Sequence, residues 1–272
     1  MVKVLSLFDG ISCGMVAFDR AGIPVEEYHA CEIDKYAIQI SQKNYPQIVR
    51  HGSVVDYHPD RHFDYLIGGS PCQGFSDAGA KRAFEDPRSK LFFEYVRILK
   101  ECRTINPEIK FLLENVRMKK EHLSVISELL GVEPIAINSA LVSAQNRTRY
   151  YWMNWTVEQP KDAGLSIKDV SLSGLSTMSP VTASRERTKK NIRNVSDKAA
   201  ALVASMYKGA QANGMTVIKD GDGFRCITPL ECERLQTLPD NYTAGISNRA
   251  RYHAIGNGWT VDIIAHILRG SK

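Results

Sequence analysis

Residues 2–21 read VKVLSLFDGISCGMVAFDRA, and this stretch contains the pattern that decides the fold. The run VKVLSLF is typical of a buried strand, a glycine-bearing turn follows it, and the apolar spacing predicts a helix over 15–21. The pattern recurs, with further strands predicted at 26–33, 64–70, 109–116, 134–142 and 150–155 and helices at 36–44, 91–102 and 122–130. This alternation predicts a doubly wound α/β fold with a mostly parallel sheet, which binds ligands at the carboxyl ends of its strands.

The composition changes after Trp155. Residues 158–200 are rich in polar and basic residues, and TVIKDGDGFRCIT at 216–228 is typical of a hairpin around Asp-Gly turns. Helices are predicted again at 229–238, where Thr228 is a suitable N-cap, and at 260–268. We therefore expect one α/β domain formed by 1–154 and 227–272, interrupted by a small, polar, basic subdomain at 155–226.

The composition of the 272 residues is that of a soluble globular protein, with 43% hydrophobic and 24% charged residues. No stretch approaches the ~20 apolar residues of a membrane span, and the first residues lack a basic, cleavable leader, so a cytoplasmic location is expected. The net charge of +5 permits a polyanionic partner without requiring one. The six cysteines are scattered without metal-ligand spacing, so we expect reduced thiols and no metal site.

Two motifs follow the first two strands and point to a bound cofactor. Glycines in LFDGISCG, residues 7–14, let a backbone approach a ligand closely, although a tight turn alone would explain them equally well. Glu32 ends the second strand, where a carboxylate is suited to bind ribose hydroxyls. A solvated loop acid is the alternative for Glu32 taken alone.

A rigid turn carries a thiol at the end of the third predicted strand. In GGSPCQGFS, residues 68–76, a proline fixes the chain just before Cys72. A structural cysteine would sit within the strand among aliphatic residues, so this placement favours a nucleophile. The run beyond it, with Lys81, Arg82 and Arg88, predicts a positively charged loop.

Charged residues also mark the next strands. Glu114 ends a buried apolar strand, a costly position for a carboxyl group unless the group is paired or functional. Arg147 and Arg149 share one face of a strand and could bind a phosphate or a carbonyl-rich ligand. An ordinary ion-pair ladder is the alternative for this arginine pair.

Taken together and in this order, the motifs resemble those of the DNA cytosine-5 methyltransferases. The resemblance rests on SPCQ (70–73), ENV (114–116), the R-x-R pair (147–149) and GNGWTV (256–261), and it covers the chain outside the insert. VSAxxRxRYxW (142–152) and Trp259 are most similar to the de novo type, whereas the absence of a flanking regulatory domain favours a bacterial or phage member. The resemblance implies a Rossmann-like fold that uses S-adenosylmethionine, with residues 155–226 as a target-recognition subdomain.

The resemblance also implies catalytic roles. Cys72 would add to C6 of a cytosine flipped out of double-stranded DNA, and Glu114 would protonate N3, so that C5 takes the methyl group. Arg147 would support the ring or its phosphate, and Arg149 would brace the site.

The cofactor would be held by a larger set of residues. Those implied by the resemblance are Phe8, Asp9, Gly10, Ile11, Glu32, Ile33, Ser53, Val54, Pro71, Leu91, Asn257, Gly258 and Trp259. One departure concerns the turn that reads the adenine, where the family usually has Gly-Asp-Val or Gly-Asp-Ile. This chain has Gly52-Ser53-Val54, which leaves Ser53, or Asp56 slightly later, to contact the adenine amino group.

DNA contacts are expected from the loop after Cys72 and from the basic part of the insert. The residues assigned to DNA are Ser76, Ala78, Lys81, Arg82, Arg185, Arg187, Lys189 and Lys190, with Arg193 as a further candidate. A solvated charged face is the alternative for the insert residues.

Three other functions remain open at this point. The same chemistry could act on tRNA, the chain could be a silent regulatory homologue, or it could methylate a small molecule. The intact set of Cys72, Glu114, Arg147 and Arg149 argues against a silent homologue, and SPCQ and R-x-R argue against a small-molecule enzyme. A cognate restriction endonuclease is left open, and a monomer is favoured over a dimer.

Overall fold

The computed structural model describes residues 1–71, 90–175, 181–182 and 185–272. In the first half of this part of the chain the elements are β1 (Val2–Leu7), α1 (Cys13–Ala21), β2 (Val25–Cys31), α2 (Lys35–Asn44), β3 (Val49–Gly52), β4 (Tyr65–Gly68), α3 (Lys90–Ile105), β5 (Lys110–Val116), α4 (Lys120–Leu130), β6 (Ile135–Asn138), β7 (Gln145–Asn146) and β8 (Thr148–Met153). In the second half they are α5 (Glu186–Asn191), β9 (Ile192–Arg193), β10 (Ala199–Ala200), β11 (Val217–Asp220), β12 (Gly223–Cys226), α6 (Pro229–Leu235), α7 (Asn248–Asn257) and α8 (Val261–Arg269). Short 3₁₀ helices cover Ser139–Leu141, Ile167–Asp169 and Ala204–Lys208.

Seven strands form the central sheet in the order β3-β2-β1-β4-β5-β8-β6. The pairs from β3 to β5 are all parallel, whereas β8 runs antiparallel to both β5 and β6. The chain leaves β1 toward β2 and β3 on one side and returns to β4 and β5 on the other. The strand order therefore reverses beside β1, and a crevice forms outside the carboxyl ends of the strands at this point. The predicted doubly wound, mostly parallel fold is confirmed.

Helices cover both faces of this sheet because the buried strands are apolar on both sides. Val4 packs in a cluster with Phe18 of α1 and Ile264 of α8, on one face of the sheet. The neighbouring residue Leu5 packs in a second cluster on the other face, with Phe92 of α3. Alternation along a strand thus builds two cores from one element.

A third apolar cluster belongs mainly to the inserted segment. It joins Leu202, Met206 and Val217 to Leu235 of α6, so it uses residues on both sides of the predicted boundary at 226. The hairpin β11–β12 and the helix after Thr228 are confirmed, and Thr228 and Glu231 form a reciprocal capping box. The division of the chain at 155 and 226 stays a prediction.

Some predicted elements were too long, and β3 and α7 are among the elements that the sequence did not predict. The predicted strand at 134–142 ends at Asn138, because the Asn138 side chain accepts a hydrogen bond from the Ala140 N–H and begins a 3₁₀ turn. Strand β3, with the residues VRHG, is short and polar, and α7 has almost no apolar stripe, so neither produced a periodic signal.

Candidate active site

A cleft of about 470 Å³ opens at the carboxyl ends of β1, β2, β4 and β5. This volume is in the range of sites for small molecules and cofactors. Its lining residues fall into two groups, which lie on either side of β4 in the strand order and are treated as two walls. We call them the β1–β3 wall, formed by Phe8, Gly10, Ile11, Glu32–Asp34 and Gly52–Val54, and the β5–β8 wall, formed by Glu114–Val116, Arg147 and Arg149.

Glu32 organises the β1–β3 wall through backbone contacts. One carboxylate oxygen accepts a hydrogen bond from the Gly10 N–H at 2.7 Å, and the other accepts from Ile33 at 2.7 Å and Asp34 at 2.8 Å. Gly10 has a φ of 58°, a left-handed conformation that glycine adopts without strain. Glu32 therefore ties the loop after β1 to the loop after β2, and it lines the cleft with about one acceptor position left on Oε2.

Asp9 lies next to this wall but has a different environment. Its carboxylate accepts hydrogen bonds from the Ser12 hydroxyl at 2.5 Å and the Tyr28 hydroxyl at 2.8 Å. Burial raises the pKa of Asp9 above its ordinary value, and these hydrogen bonds oppose that effect. Asp9 does not line the cleft, so its carboxylate supports the loop from beneath.

Apolar side chains complete the β1–β3 wall. Ile33 is 76% exposed, an unusual position for a large aliphatic residue, and it lines the cleft together with Phe8, Val54 and Leu91. Such a surface fits the face of a flat apolar ring. Ser53 also lines the cleft, whereas Asp56 is exposed and is not in the lining.

Glu114 is the central side chain of the β5–β8 wall. Its Oε1 lies 3.1 Å from Nε of Arg149, and its Oε2 accepts a hydrogen bond from the Trp259 indole N–H at 3.2 Å. A Cβ at Gly69 would lie 2.9 Å from the Trp259 nitrogen and 3.0 Å from Oε2 of Glu114. Only glycine therefore allows the end of β4 to approach this pair so closely.

Arg147 is buried beside this pair and bonds to two backbone segments. One guanidinium nitrogen donates to the Leu202 carbonyl at 2.6 Å and another donates to the Gly258 carbonyl at 3.1 Å. Burial, together with the charge of Arg149, lowers the pKa of Arg147 to about 10. Arg147 thus joins the inserted segment to the end of α7 while it lines the cleft.

The segment that leads to Cys72 is fixed on the same side. The Asn115 amide donates to the Ser70 carbonyl at 3.3 Å and to the Ser70 hydroxyl at 3.2 Å, and Pro71 lines the cleft. Other residues assigned to the site lie outside the described residues, namely Cys72, Ser76, Ala78, Lys81 and Arg82.

The five described cysteines differ from an activated nucleophile. All are free thiols, and burial is the main cause that raises the pKa of each, as for Cys226 to about 11. A high thiol pKa leaves little thiolate at neutral pH, so none of these five suits a nucleophilic role.

Other assigned residues lie at different distances from the cleft. Asn257 lines it, whereas Gly258 and Trp259 are behind the lining, in contact with Arg147 and Glu114 respectively. The basic residues of the insert do not line the cleft: Arg185, Arg187, Lys189 and Lys190 are exposed around α5, and Lys189 forms an ion pair with Glu186 at 2.8 Å. Arg193 donates to the backbone carbonyls of Lys190 and Ile192.

The cleft also contains residues that the sequence analysis did not assign. His253 lines it one helical turn before Asn257, and the i, i+4 spacing could have identified this residue. Residues 202–204 line it from the insert, where a short apolar run carries no motif that would assign it to the site. Asn115 also lines the cleft, although the ENV motif predicted no role for it.

Among residues 1–71, 90–175, 181–182 and 185–272, no group of three or more His, Cys, Asp or Glu side chains could hold a metal ion. In the same part of the chain, every helix is too short or too polar to cross a membrane.

Solved structures support the fold. The Entamoeba histolytica methyltransferase EhMeth superimposes with a TM-score of 0.80 at 19% identity, over 98% of this chain and 97% of that one. The S. pombe Dnmt2 methyltransferase superimposes with a TM-score of 0.73 at 17% identity, over 98% of this chain and 97% of that one.

Sequence comparisons identify the family. M1.ScrFI, a type II methyltransferase of Lactococcus lactis subsp. cremoris, is 29% identical over 312 residues that cover 96% of this chain and 76% of that protein. M.NlaX, a type II methyltransferase of Neisseria lactamica, is 29% identical over 311 residues that cover 100% of this chain and 96% of that protein. The family model for the C-5 cytosine-specific DNA methylases matches residues 2–153 and 137–272. The chain therefore belongs to the C-5 cytosine-specific DNA methylase family.

Proposed function

We propose that this protein transfers a methyl group from S-adenosylmethionine to C5 of cytosine in double-stranded DNA. One observation carries the proposal most directly: Glu114, Arg147 and Arg149 open onto the same cleft as Glu32 and Ile33. A donor bound on the β1–β3 wall would therefore face a base bound on the β5–β8 wall.

The residues of the β1–β3 wall fit the cofactor. The acceptor position that remains on Glu32 Oε2 suits a ribose hydroxyl, and the exposed face of Ile33 suits the adenine ring. Phe8, Val54, Pro71 and Leu91 would supply apolar contacts, and Asn257, which also lines the cleft, would contact the methionine end. When bound, S-adenosylmethionine supplies the methyl group, and the chain supplies its orientation.

Cys72 is the proposed nucleophile. Its thiolate adds to C6 of cytosine, and the electron pair of the C5–C6 double bond becomes available at C5 for the methyl group. Loss of the C5 proton then expels the thiolate and restores the ring. Covalent addition divides one difficult step into two easier ones. Asn115 supports this step by fixing Ser70, two residues before the thiol.

Glu114 is the proposed partner of the ring at N3. Arg149 and the Trp259 indole hold its carboxyl group in one orientation, with lone pairs left for the base. A proton shared between Glu114 and N3 makes C6 more electrophilic, so the thiolate adds more easily. Arg147 adds a positive charge beside the ring and its flanking phosphate.

The target base must leave the duplex to reach this cleft. We assign recognition of the DNA to residues 155–226 and to the loop after Cys72, with phosphate contacts from the exposed basic side chains around α5. The proposal includes a monomer that acts in the cytoplasm of a bacterial or phage-infected cell, alone or beside a cognate restriction endonuclease.

The test uses methyl-labelled cofactor with unmethylated genomic DNA, with tRNA, and with a Cys72→Ala variant as the matched control. We expect label in DNA cytosine, absent from the variant, and base-resolution conversion sequencing of the product then gives the target site. Label in tRNA alone would show that the substrate is RNA and not DNA. Binding of the cofactor without label in either substrate would contradict the proposed enzyme.

A further inference from the structure

The turn at Gly52–Val54 lines the cleft and begins at the last residue of β3, which among the described strands lies at the edge of the sheet beside β2. An edge strand of four residues fixes a turn weakly by itself. A second support comes from a helix on the other side of the turn.

Arg97 of α3 provides this support. Its Nη2 donates to the Val54 carbonyl at 3.0 Å and to the Tyr57 carbonyl at 2.9 Å, so a single nitrogen holds both ends of the segment after Ser53. The two carbonyls lie 43 and 40 residues before Arg97 in the chain, so these are tertiary contacts.

The guanidinium is itself held in place by two carboxylates of its own helix. Nε donates to Glu94 at 2.7 Å and Nη1 donates to Glu101 at 2.8 Å, while the Arg97 side chain is 28% exposed. All three nitrogens therefore have acceptors, and the planar fork has one orientation. A lysine at this position would offer one ammonium group and could not reproduce this geometry.

The position of this turn matters more here than it would with a carboxylate in the turn. Ser53 has no negative charge, and its hydroxyl oxygen already accepts a hydrogen bond from the Val55 N–H at 3.1 Å. The adenine amino group is a hydrogen-bond donor and needs an acceptor. With no carboxylate at position 53, the backbone carbonyls and the hydroxyl of the turn must lie at the correct distance.

We propose that Arg97 is a positioning residue that sets both the affinity for the cofactor and its selectivity for adenine. This inference rests on the proposed function, because it takes the cleft as the site of S-adenosylmethionine. Arg97 acts through the Val54–Tyr57 backbone and touches neither the cofactor nor the DNA.

The test compares two ligands that differ at the adenine amino group, S-adenosylhomocysteine and its inosine counterpart, by calorimetry. The variants are Arg97→Lys and Arg97→Met. Arg103→Met is the matched control. Arg103 lies on the same helix as Arg97, but its guanidinium packs over the ring of Phe111 in β5, 5.2 Å from the ring centroid. We expect wild type and control to prefer the adenine ligand. Both Arg97 variants should bind it about tenfold more weakly and lose most of this preference.

Steady-state kinetics provides the second readout. The KM for S-adenosylmethionine should rise about tenfold in the Arg97 variants, with kcat at saturating cofactor and the KM for DNA within twofold of wild type. Equal loss of both ligands would indicate loss of structure alone, and unchanged binding would show that Arg97 does not position the turn. Either result overturns the inference while the proposed function stands. Failure of wild type to bind either ligand would overturn both.

Discussion

The two walls of the cleft are held in place by different kinds of interaction. On the β1–β3 wall, a carboxylate is held by backbone N–H groups, and large apolar side chains are exposed to the cleft. On the β5–β8 wall, Glu114, Arg147 and Arg149 place three charged groups side by side with little access to water. Burial of charged groups is costly unless they are paired or take part in chemistry. The difference therefore indicates that the β1–β3 wall serves binding and the β5–β8 wall serves catalysis.

The two walls should differ in which kinetic constant a substitution changes, KM for the cofactor or kcat. Changes on the β1–β3 wall should alter the KM for the cofactor, because apolar contacts there are made in the ground state as well as the transition state. Changes on the β5–β8 wall should alter kcat, because its charged groups interact most strongly with a ring that gains charge during the reaction.

Glu114→Gln should have the largest effect. The amide cannot donate a carboxyl proton to N3, so we expect kcat to fall by about 10²–10⁴-fold. Binding of S-adenosylhomocysteine should stay within about threefold of wild type. Methyl transfer to DNA and calorimetry measure the two quantities. The exposed Glu128→Gln on α4 is the matched control and should be unchanged. Near-normal turnover by Glu114→Gln would remove Glu114 from the chemistry.

Trp259→Phe should have an intermediate effect on the same wall. The ring is retained, but the hydrogen bond from the indole N–H to Glu114 at 3.2 Å is lost. A loss of about 1.4 kcal/mol for a bond to a charged group corresponds to a tenfold decrease in kcat. Steady-state kinetics at saturating cofactor measures it. If the KM for the cofactor rises instead, Trp259 belongs to the cofactor site as the sequence resemblance implies.

Ile33→Ala tests the opposite wall. Removal of the exposed aliphatic surface should weaken binding of the adenosine part by about 1–2 kcal/mol, a rise in the KM for S-adenosylmethionine of about 5–30-fold with kcat unchanged. Val55→Ala is the matched control, since Val55 is 52% exposed directly after the Gly52–Val54 turn of the same wall but does not line the cleft. Equal effects in both variants would contradict a specific contact.

Arg187→Met should have the smallest effect and involves neither wall. If the exposed side chain contacts a phosphate, its removal should lower the slope of log affinity against log salt by about one, with catalysis otherwise intact. Fluorescence anisotropy on duplex DNA at several salt concentrations measures the slope. Lys100→Met, exposed on α3, should leave the slope unchanged. An unaltered slope in Arg187→Met would make α5 an ordinary solvated face.

Much of the fold could be predicted because buried strands and amphipathic helices have clear periods. Strands β1, β4 and β5 appear as mostly apolar runs, and α8 has apolar residues at helical spacing. Strand β3 and helix α7 could not be predicted in this way, because tertiary contacts stabilise them. Val203 packs against Gly256 of α7 so tightly that a Cβ there would lie 2.3 Å from the Val203 carbonyl carbon.

The site was predictable where a motif places a residue at the end of a strand. Glu32, Glu114, Arg147 and Arg149 all line the cleft, as their positions in the motifs predict. The connections between them were not predictable, because they join segments far apart in the chain. Arg147 bonds to Leu202 and Gly258, and Trp259 bonds to Glu114, across sequence separations of 55, 111 and 145 residues.

The central claim is that a covalent bond to Cys72 precedes methyl transfer on the β5–β8 wall. The most direct measurement incubates the protein and S-adenosylmethionine with duplex DNA that contains 5-fluorocytosine at the target site, followed by denaturing electrophoresis. Fluorine cannot leave C5 as the proton does, so the thiolate cannot be expelled after methyl transfer. We predict a protein–DNA complex that survives denaturation in wild type and is absent in Cys72→Ala. A wild-type protein that methylates ordinary DNA but forms no such complex would contradict the account.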